Sequence, residues 1–227
     1  MDKTLLVDNP FSKANIADIY IKHCIAYHNY ATSSEEFARL VPFVSRILEV
    51  GVGVGTFTEL LLSFGYDVKG IDLSPEMLKR ASERVQGLTQ LCNLLDYNPS
   101  EKFDVVVSHS GGFTYKRGKF ETYFQIMENL DSALQKVHGI LDNRGRFFIN
   151  KGEHEGDIDF GDGATLTIRQ EDQSYFRIFT YTYLKGNHKI TEDQRRIALS
   201  PDELQEFSSQ HFNWNFDHEY WIVGEKK

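Results

Sequence analysis

The chain has 227 residues, 41% of them hydrophobic, and 33 Asp and Glu against 25 Lys and Arg give a net charge of −8. That content suits one α/β domain with an insertion, and the acidic balance speaks against a nucleic-acid partner, because phosphate binding needs clustered cations. Cys24 and Cys92 are the only cysteines and no apolar run nears the ~20 residues of a membrane span, so a cytoplasmic enzyme without a membrane anchor is expected.

In chain order, residues 12–30 read as an aromatic-rich helix with Ile16, Ile19, Tyr20, His23 and Tyr27 on one stripe. A second helix is expected from about Glu35 to Val44. Ser33 and Glu36 would form its capping box, and Phe37, Leu40, Val41 and Val44 its apolar face. Ile47–Val50 reads as a buried strand, and Val68–Ile71 as a second one ending at Asp72. Ser74-Pro75 starts a helix through Met77, Leu78 and Ala81. A weak strand near Leu88–Cys92 and a strong one at Phe103–Val107 follow. Tyr123 to Val137 then carries the apolar stripe of a long helix, and Asp142–Gly145 turns into a strand over Arg146–Asn150.

Five strands with helical crossovers imply a doubly wound, mostly parallel sheet. Residues 151–163 read as an acidic loop, and 164–199 alternate with the period of antiparallel strands. Ser200-Pro201 caps a short helix before aromatic strand sequence at 212–224. The expected division is a helical cap over 1–44, a cofactor-binding core over 45–150, the loop and β insertion over 151–199, and a C-terminal piece over 200–227 completing the core sheet.

Glu49-Val50-Gly51-Val52-Gly53-Val54-Gly55-Thr56-Phe57 is the most telling stretch. A strand that runs through a glycine turn into a helix N-terminus lets backbone approach a nucleotide cofactor and aims N–H groups at it. A dinucleotide fingerprint would place its third glycine at 56, where Thr56 stands, which argues against a dehydrogenase.

This stretch, Gly70-Ile71-Asp72-Leu73-Ser74, Phe103-Asp104-Val105-Val106-Val107-Ser108 and Leu141–Ile149 together resemble class I S-adenosylmethionine-dependent methyltransferases, over about residues 45–150. The insertion is similar to that of small-molecule N-methyltransferases. The resemblance implies the Rossmann-like methyltransferase fold, S-adenosyl-L-methionine as cofactor and a small-molecule acceptor methylated on nitrogen or oxygen. It also implies cofactor contacts from Glu49, Gly51, Gly53, Gly55, Asp72 (on the ribose hydroxyls), Leu73 and Met77 (at the adenine), Asp96 (at the adenine amino group) and Ser108. Leu94-Leu95-Asp96 departs from the family's commoner Gly-Asp pair.

Methyl transfer is a displacement at a sulfonium in which positioning and exclusion of water supply most of the catalysis. No catalytic motif is therefore obligatory. Tyr20, Tyr27 and Tyr30 are candidates to line the pocket, since tyrosine faces attract a sulfonium. His109 is the candidate base in the loop Ser108–Tyr115, Asn150 a candidate to orient an amine, and Tyr175 and Tyr181 candidates from the insertion. Similar proteins cyclise S-adenosylmethionine itself, forming azetidine-2-carboxylate and releasing methylthioadenosine, so cyclisation stays open, as does a non-catalytic cofactor-binding module. No metal is expected: Asp157-x-Asp159-x-Gly161-Asp162 lacks the ligands of a calcium loop, and the histidines are scattered. A monomer or a homodimer fits equally.

Overall fold

The computed structural model describes residues 18, 21, 30–109, 123–151, 156–173, 176–197 and 200–227. Tyr20, Tyr27, Tyr175 and residues 110–115 of the loop after the fourth strand lie outside them, as does most of the expected helix over 12–30.

Seven strands form one sheet in the order β10-β11-β5-β4-β1-β2-β3, comprising β1 (Arg46–Val50), β2 (Asp67–Asp72), β3 (Thr89–Leu91), β4 (Phe103–Ser108), β5 (Leu141–Asn150), β10 (Phe212–Asn215) and β11 (Trp221–Lys226). The first five run parallel, while β11 pairs antiparallel with β5 and β10 with β11. The central strands are apolar on both faces because both faces are covered. Leu48, Val50, Val106 and Phe147 pack under the helix Tyr123–Ile140 through Leu130, Leu134 and Val137. Ile47, Val105, Val107 and Phe148 pack on the other face against Phe37, Phe57 and Leu61. Phe147 and Phe148 are neighbours in sequence, each wholly buried, on opposite faces. Each such side chain contributes about 1.5–3 kcal/mol.

The helix expected over 35–44 instead spans Tyr30–Leu40. Pro42 has no N–H to donate and disfavours helical geometry in Val41 before it, so the helix stops there. Val44, expected on the apolar face, is 87% exposed. Ser33 and Glu36 are no capping box, because the helix has already begun. Ser33 is buried, and the Glu36 carboxylate accepts the backbone N–H groups of Glu219 (3.0 Å) and Tyr220 (2.8 Å), latching this helix to the entrance of β11.

β5 begins at Leu141, earlier than expected. Leu141 pairs with Phe103 and Arg146 with Val105, so the residues between bulge outward around Arg144, at φ 61°. The expected turn is thus a bulge between two paired segments.

A second, antiparallel sheet holds β6 (Gly156–Asp159), β7 (Ala164–Gln173), β8 (Phe176–Lys185) and β9 (His188–Ile197). β6 lies inside the stretch expected to be loop. Its acids serve the hairpin: Asp157 pairs with Arg169 (3.0 Å), Asp159 accepts from Gly161 N–H (2.8 Å), and Asp162 accepts from Ala164 N–H and pairs with Lys185 (2.8 Å). Ile158, Leu166 and Ile168 form a small core with Phe160 and Tyr183. The helix Pro201–Ser208 starts on a complete capping box of Ser200 and Glu203.

Candidate active site

The carboxyl ends of β1, β2 and β3 meet at the glycine turn. Gly51, Gly53 and Gly55 all have positive φ, at 82°, 59° and 83°. At Gly55 a Cβ would stand 2.6 Å from Val85 Cγ1, so both the turn and the packing demand glycine. At Gly53 a Cβ would lie 3.4 Å from the Met77 methyl group, which puts buried Met77 directly against the turn. The helix Thr56–Ser63 leaves this turn, and its first N–H groups have no partner within the helix.

The turn is tied to β2 by three hydrogen bonds. Gly51 N–H (2.9 Å) and Val52 N–H (3.3 Å) donate to Ile71 O, and Gly53 N–H donates to Asp72 Oδ2 at 2.7 Å. Asp72 Oδ1 accepts from Ser74 N–H at 2.7 Å, and Ser74 Oγ in turn caps the helix Pro75–Leu78 by accepting from Met77 N–H. Burial pushes the Asp72 carboxyl upward from its ordinary value, opposed by the N–H groups of Ser74, Gly53 and Leu73. A carboxylate oxygen has more than one acceptor direction, so both keep capacity for a ligand hydroxyl.

Glu49 lies on β1, next to its last residue Val50 and just before Gly51, and is 1% exposed. Thr58 Oγ1, in the first turn of the following helix, donates to Glu49 Oε2. Burial raises its pKa to about 8; the Thr58 bond lowers it, and the charge of Asp72 adds to the rise.

Asp96 stands exposed at the end of a short 3₁₀ turn, Leu94–Asp96. Asn93, not singled out from the sequence, stands just past the end of β3 at the start of that turn. Cys92 N–H before it bonds to Asp72 O (2.9 Å), and Asn93 Oδ1 caps the turn by accepting from Leu95 N–H (2.9 Å). A capping residue directly after a short strand was the signal available for it. Leu73 is partly buried beside Asp72.

Ser108 ends β4 and His109 follows it, both buried. The His109 ring stacks on Tyr30 (4.4 Å between centroids), lies 4.6 Å from Phe57 and meets Trp221 edge-on at 5.5 Å. Its Nε2 is 2.8 Å from Ser33 Oγ, and Trp221 Nε1 donates to Ser33 O at 3.0 Å. The candidate base is therefore walled by aromatic rings and held by a helix residue, with one face of Tyr30 already used. Ser33 and Trp221 carried no sequence signal for this. Asn150 is partly buried, and its amide donates to Tyr220 O at 3.3 Å. Among the described residues no group of three or more His, Cys, Asp or Glu could hold a metal ion, and no helix is long and apolar enough to cross a membrane.

Residues 48–149, from β1 into β5, match the family model of the methyltransferase domain. No curated protein sequence matches the chain. Solved structures share its fold. DesVI of Streptomyces venezuelae is 19% identical, with a TM-score of 0.72 over 93% of this chain and 98% of its own. The sugar N-methyltransferase KedS8 from a Streptoalloteichus species is 16% identical, with a TM-score of 0.70 over 92% of both chains. CalS10, an amino pentose methyltransferase from Micromonospora echinaspora with S-adenosylmethionine bound, is 15% identical, with a TM-score of 0.69 over 92% of this chain and 95% of its own. The chain has the class I methyltransferase fold.

Proposed function

We propose that this protein transfers a methyl group from S-adenosylmethionine to a small-molecule acceptor, most simply an amine. The observation that carries the reading is the three-glycine, positive-φ turn pinned to Asp72 inside the matched methyltransferase domain. The residues suit the cofactor: backbone free of Cβ atoms, an acid at the tip of β2 with acceptor capacity left, and apolar Met77 against the turn.

In this reading Gly51, Gly53 and Gly55 carry the methionine portion, Asp72 accepts the ribose hydroxyls, and Leu73 and Met77 flank the adenine. Asp96 is assigned to the adenine amino group, with Asn93, just past β3, as a neighbouring candidate. Glu49 and Ser108 border the methionine end. The bound cofactor supplies an electrophilic methyl on sulfur. The protein's part is to orient the acceptor and exclude water. Ser33 fixes the His109 ring, so His109 shapes the pocket wall with Tyr30 and can pass a proton only through the Ser33 hydroxyl or its other nitrogen. Asn150, Tyr27 and Tyr175 are assigned to the acceptor side, and Tyr20 and Tyr30 to the cofactor. The division into cap, core, insertion and C-terminal piece follows the same reading, with the insertion closing over the acceptor.

KedS8 and CalS10, the relatives described as sugar methyltransferases, make amino sugars the first acceptors to try. Nothing among these relatives supports cyclisation. The test is incubation with S-adenosylmethionine, with and without a panel of amino sugars and other small amines, followed by mass spectrometry of the nucleoside products. S-adenosylhomocysteine formed only with acceptor is the expected result. Methylthioadenosine formed without acceptor would overturn the proposal.

A further inference from the structure

We infer that Glu49 carries a proton in the cofactor-free protein and releases it to solvent when a net-cationic sulfonium cofactor settles on the glycine turn, so that the site responds to the charge of what it holds. The inference rests on the S-adenosylmethionine reading above.

The geometry is a buried carboxyl with no cation paired to it among the described residues. From the helix Thr56–Ser63 it faces the Thr58 hydroxyl, while Glu59 of that helix is exposed. From β2 the charge bearing on it is that of Asp72, of its own sign. β4 flanks it through Val107, and the titratable group at that strand's end, His109, is engaged with Ser33. Among the described residues no Lys or Arg pairs with Glu49. A buried, unpaired carboxylate is costly, and a second one nearby makes it costlier, so the neutral form wins. Accordingly the group titrates near 8 rather than in the ordinary carboxyl range.

The cofactor and its product differ in the quantity such a group reads. S-adenosylmethionine carries an ammonium, a carboxylate and a sulfonium, and is net positive. S-adenosylhomocysteine has lost the sulfonium charge and is net neutral. A cation held on Gly51–Gly55 lies over the strand ends that bear Glu49 and Asp72. Opposite charge in a desolvated site favours the ionised carboxylate, and the partial positive charge of the helix N-terminus at Thr58 adds to it. The proton goes to the buffer and no bond of the cofactor changes. After methyl transfer the thioether product no longer offsets the carboxylate, which takes a proton back.

The experiment is titration calorimetry of the full chain with S-adenosylmethionine and, separately, S-adenosylhomocysteine, in buffers of different ionisation enthalpy between pH 6 and 8.5. At pH 7 S-adenosylmethionine should release roughly nine-tenths of a proton, the share held by an acid titrating near 8. Its affinity should rise about tenfold from pH 6 to 7, as one-proton linkage requires. S-adenosylhomocysteine should release far less. In Glu49→Gln, which keeps the shape of the neutral carboxyl, the release should vanish and the affinity lose this pH dependence. As a measurement that needs no variant, infrared difference spectra of the wild type should lose the carbonyl stretch of one protonated carboxyl on binding. Binding without proton release, or release that survives in Glu49→Gln, overturns the inference alone. Failure of both nucleosides to bind overturns the cofactor reading and the inference with it.

Discussion

The two ends of β1 treat charge in opposite ways. At the amino end, Arg46 is 36% exposed and pairs with Asp104 and Asp142, each at 3.2 Å and each more than a third exposed. Burial alone would raise Asp104, but the bonds from Arg46 outweigh it and hold that carboxyl low. At the carboxyl end, Glu49 is buried with a hydroxyl and another acid for company. A stabilising ion network looks like the first arrangement: paired, solvated and modest in energy. The second makes sense only if something other than stability selected it, and it lies beside a turn that three left-handed glycines hold open. Perturbed, unpaired acids mark working ends of strands more reliably than the number of charges does.

Replacing Gly55 by Ala tests the carboxyl end hardest. A left-handed φ and a 2.6 Å contact with Val85 should cost about 2–4 kcal/mol in denaturant unfolding and abolish measurable cofactor binding. Wild-type stability would mean that the turn can relax. Glu49→Gln should behave in the opposite sense. The folded protein holds the Glu49 proton up to about pH 8, whereas the unfolded chain loses it in the ordinary carboxyl range. Wild-type stability is therefore fully present in acid and falls as pH rises toward 8. Thermal melts should show the Gln variant the more stable by a few kcal/mol at pH 8, with the gap closing near pH 4–5. A gap independent of pH would contradict this.

Asp72→Asn keeps the size of the side chain but removes the charge that accepts Gly53 and Ser74 N–H groups. Cofactor affinity measured by calorimetry should fall roughly ten- to a hundredfold, about 1.5–3 kcal/mol. Ser33→Ala, which strips the hydroxyl from His109 Nε2, should lower stability by about 1–2 kcal/mol and loosen the wall behind Tyr30. The smallest effect belongs to the amino end. Arg46→Ala should change the unfolding midpoint only slightly and leave cofactor affinity unchanged, with the difference shrinking further in added salt. A cofactor defect in that variant would erase the contrast between the two ends.

Sequence reading located the core strands well because both faces of the sheet are buried, and such strands announce themselves as apolar runs between turn signals. It misjudged places where one residue outweighed a pattern. Pro42 cut a helix that the apolar spacing of Val41 and Val44 would have continued. Ser33 and Glu36 had the spacing of a cap and serve as tertiary ties to His109 and to β11. Asn93 carried no conspicuous sequence signal, yet it follows Cys92, whose N–H bonds to Asp72 O, and its own side chain caps the turn that leads to Asp96.

By itself the sequence determined the doubly wound core, the glycine turn and the acid at the end of the second strand. Backbone conformation at Gly51, Gly53 and Gly55 and the apolar period of the strands are local properties that residue identity nearly dictates. Only the tertiary structure decided what surrounds each polar group. It enclosed His109 in Tyr30, Phe57, Trp221 and Ser33, drawn from separate parts of the chain, and among the described residues set Glu49 near Asp72 with no cation paired to it. Desolvation and partner charge depend on residues far away in sequence, and these set the protonation of an acid.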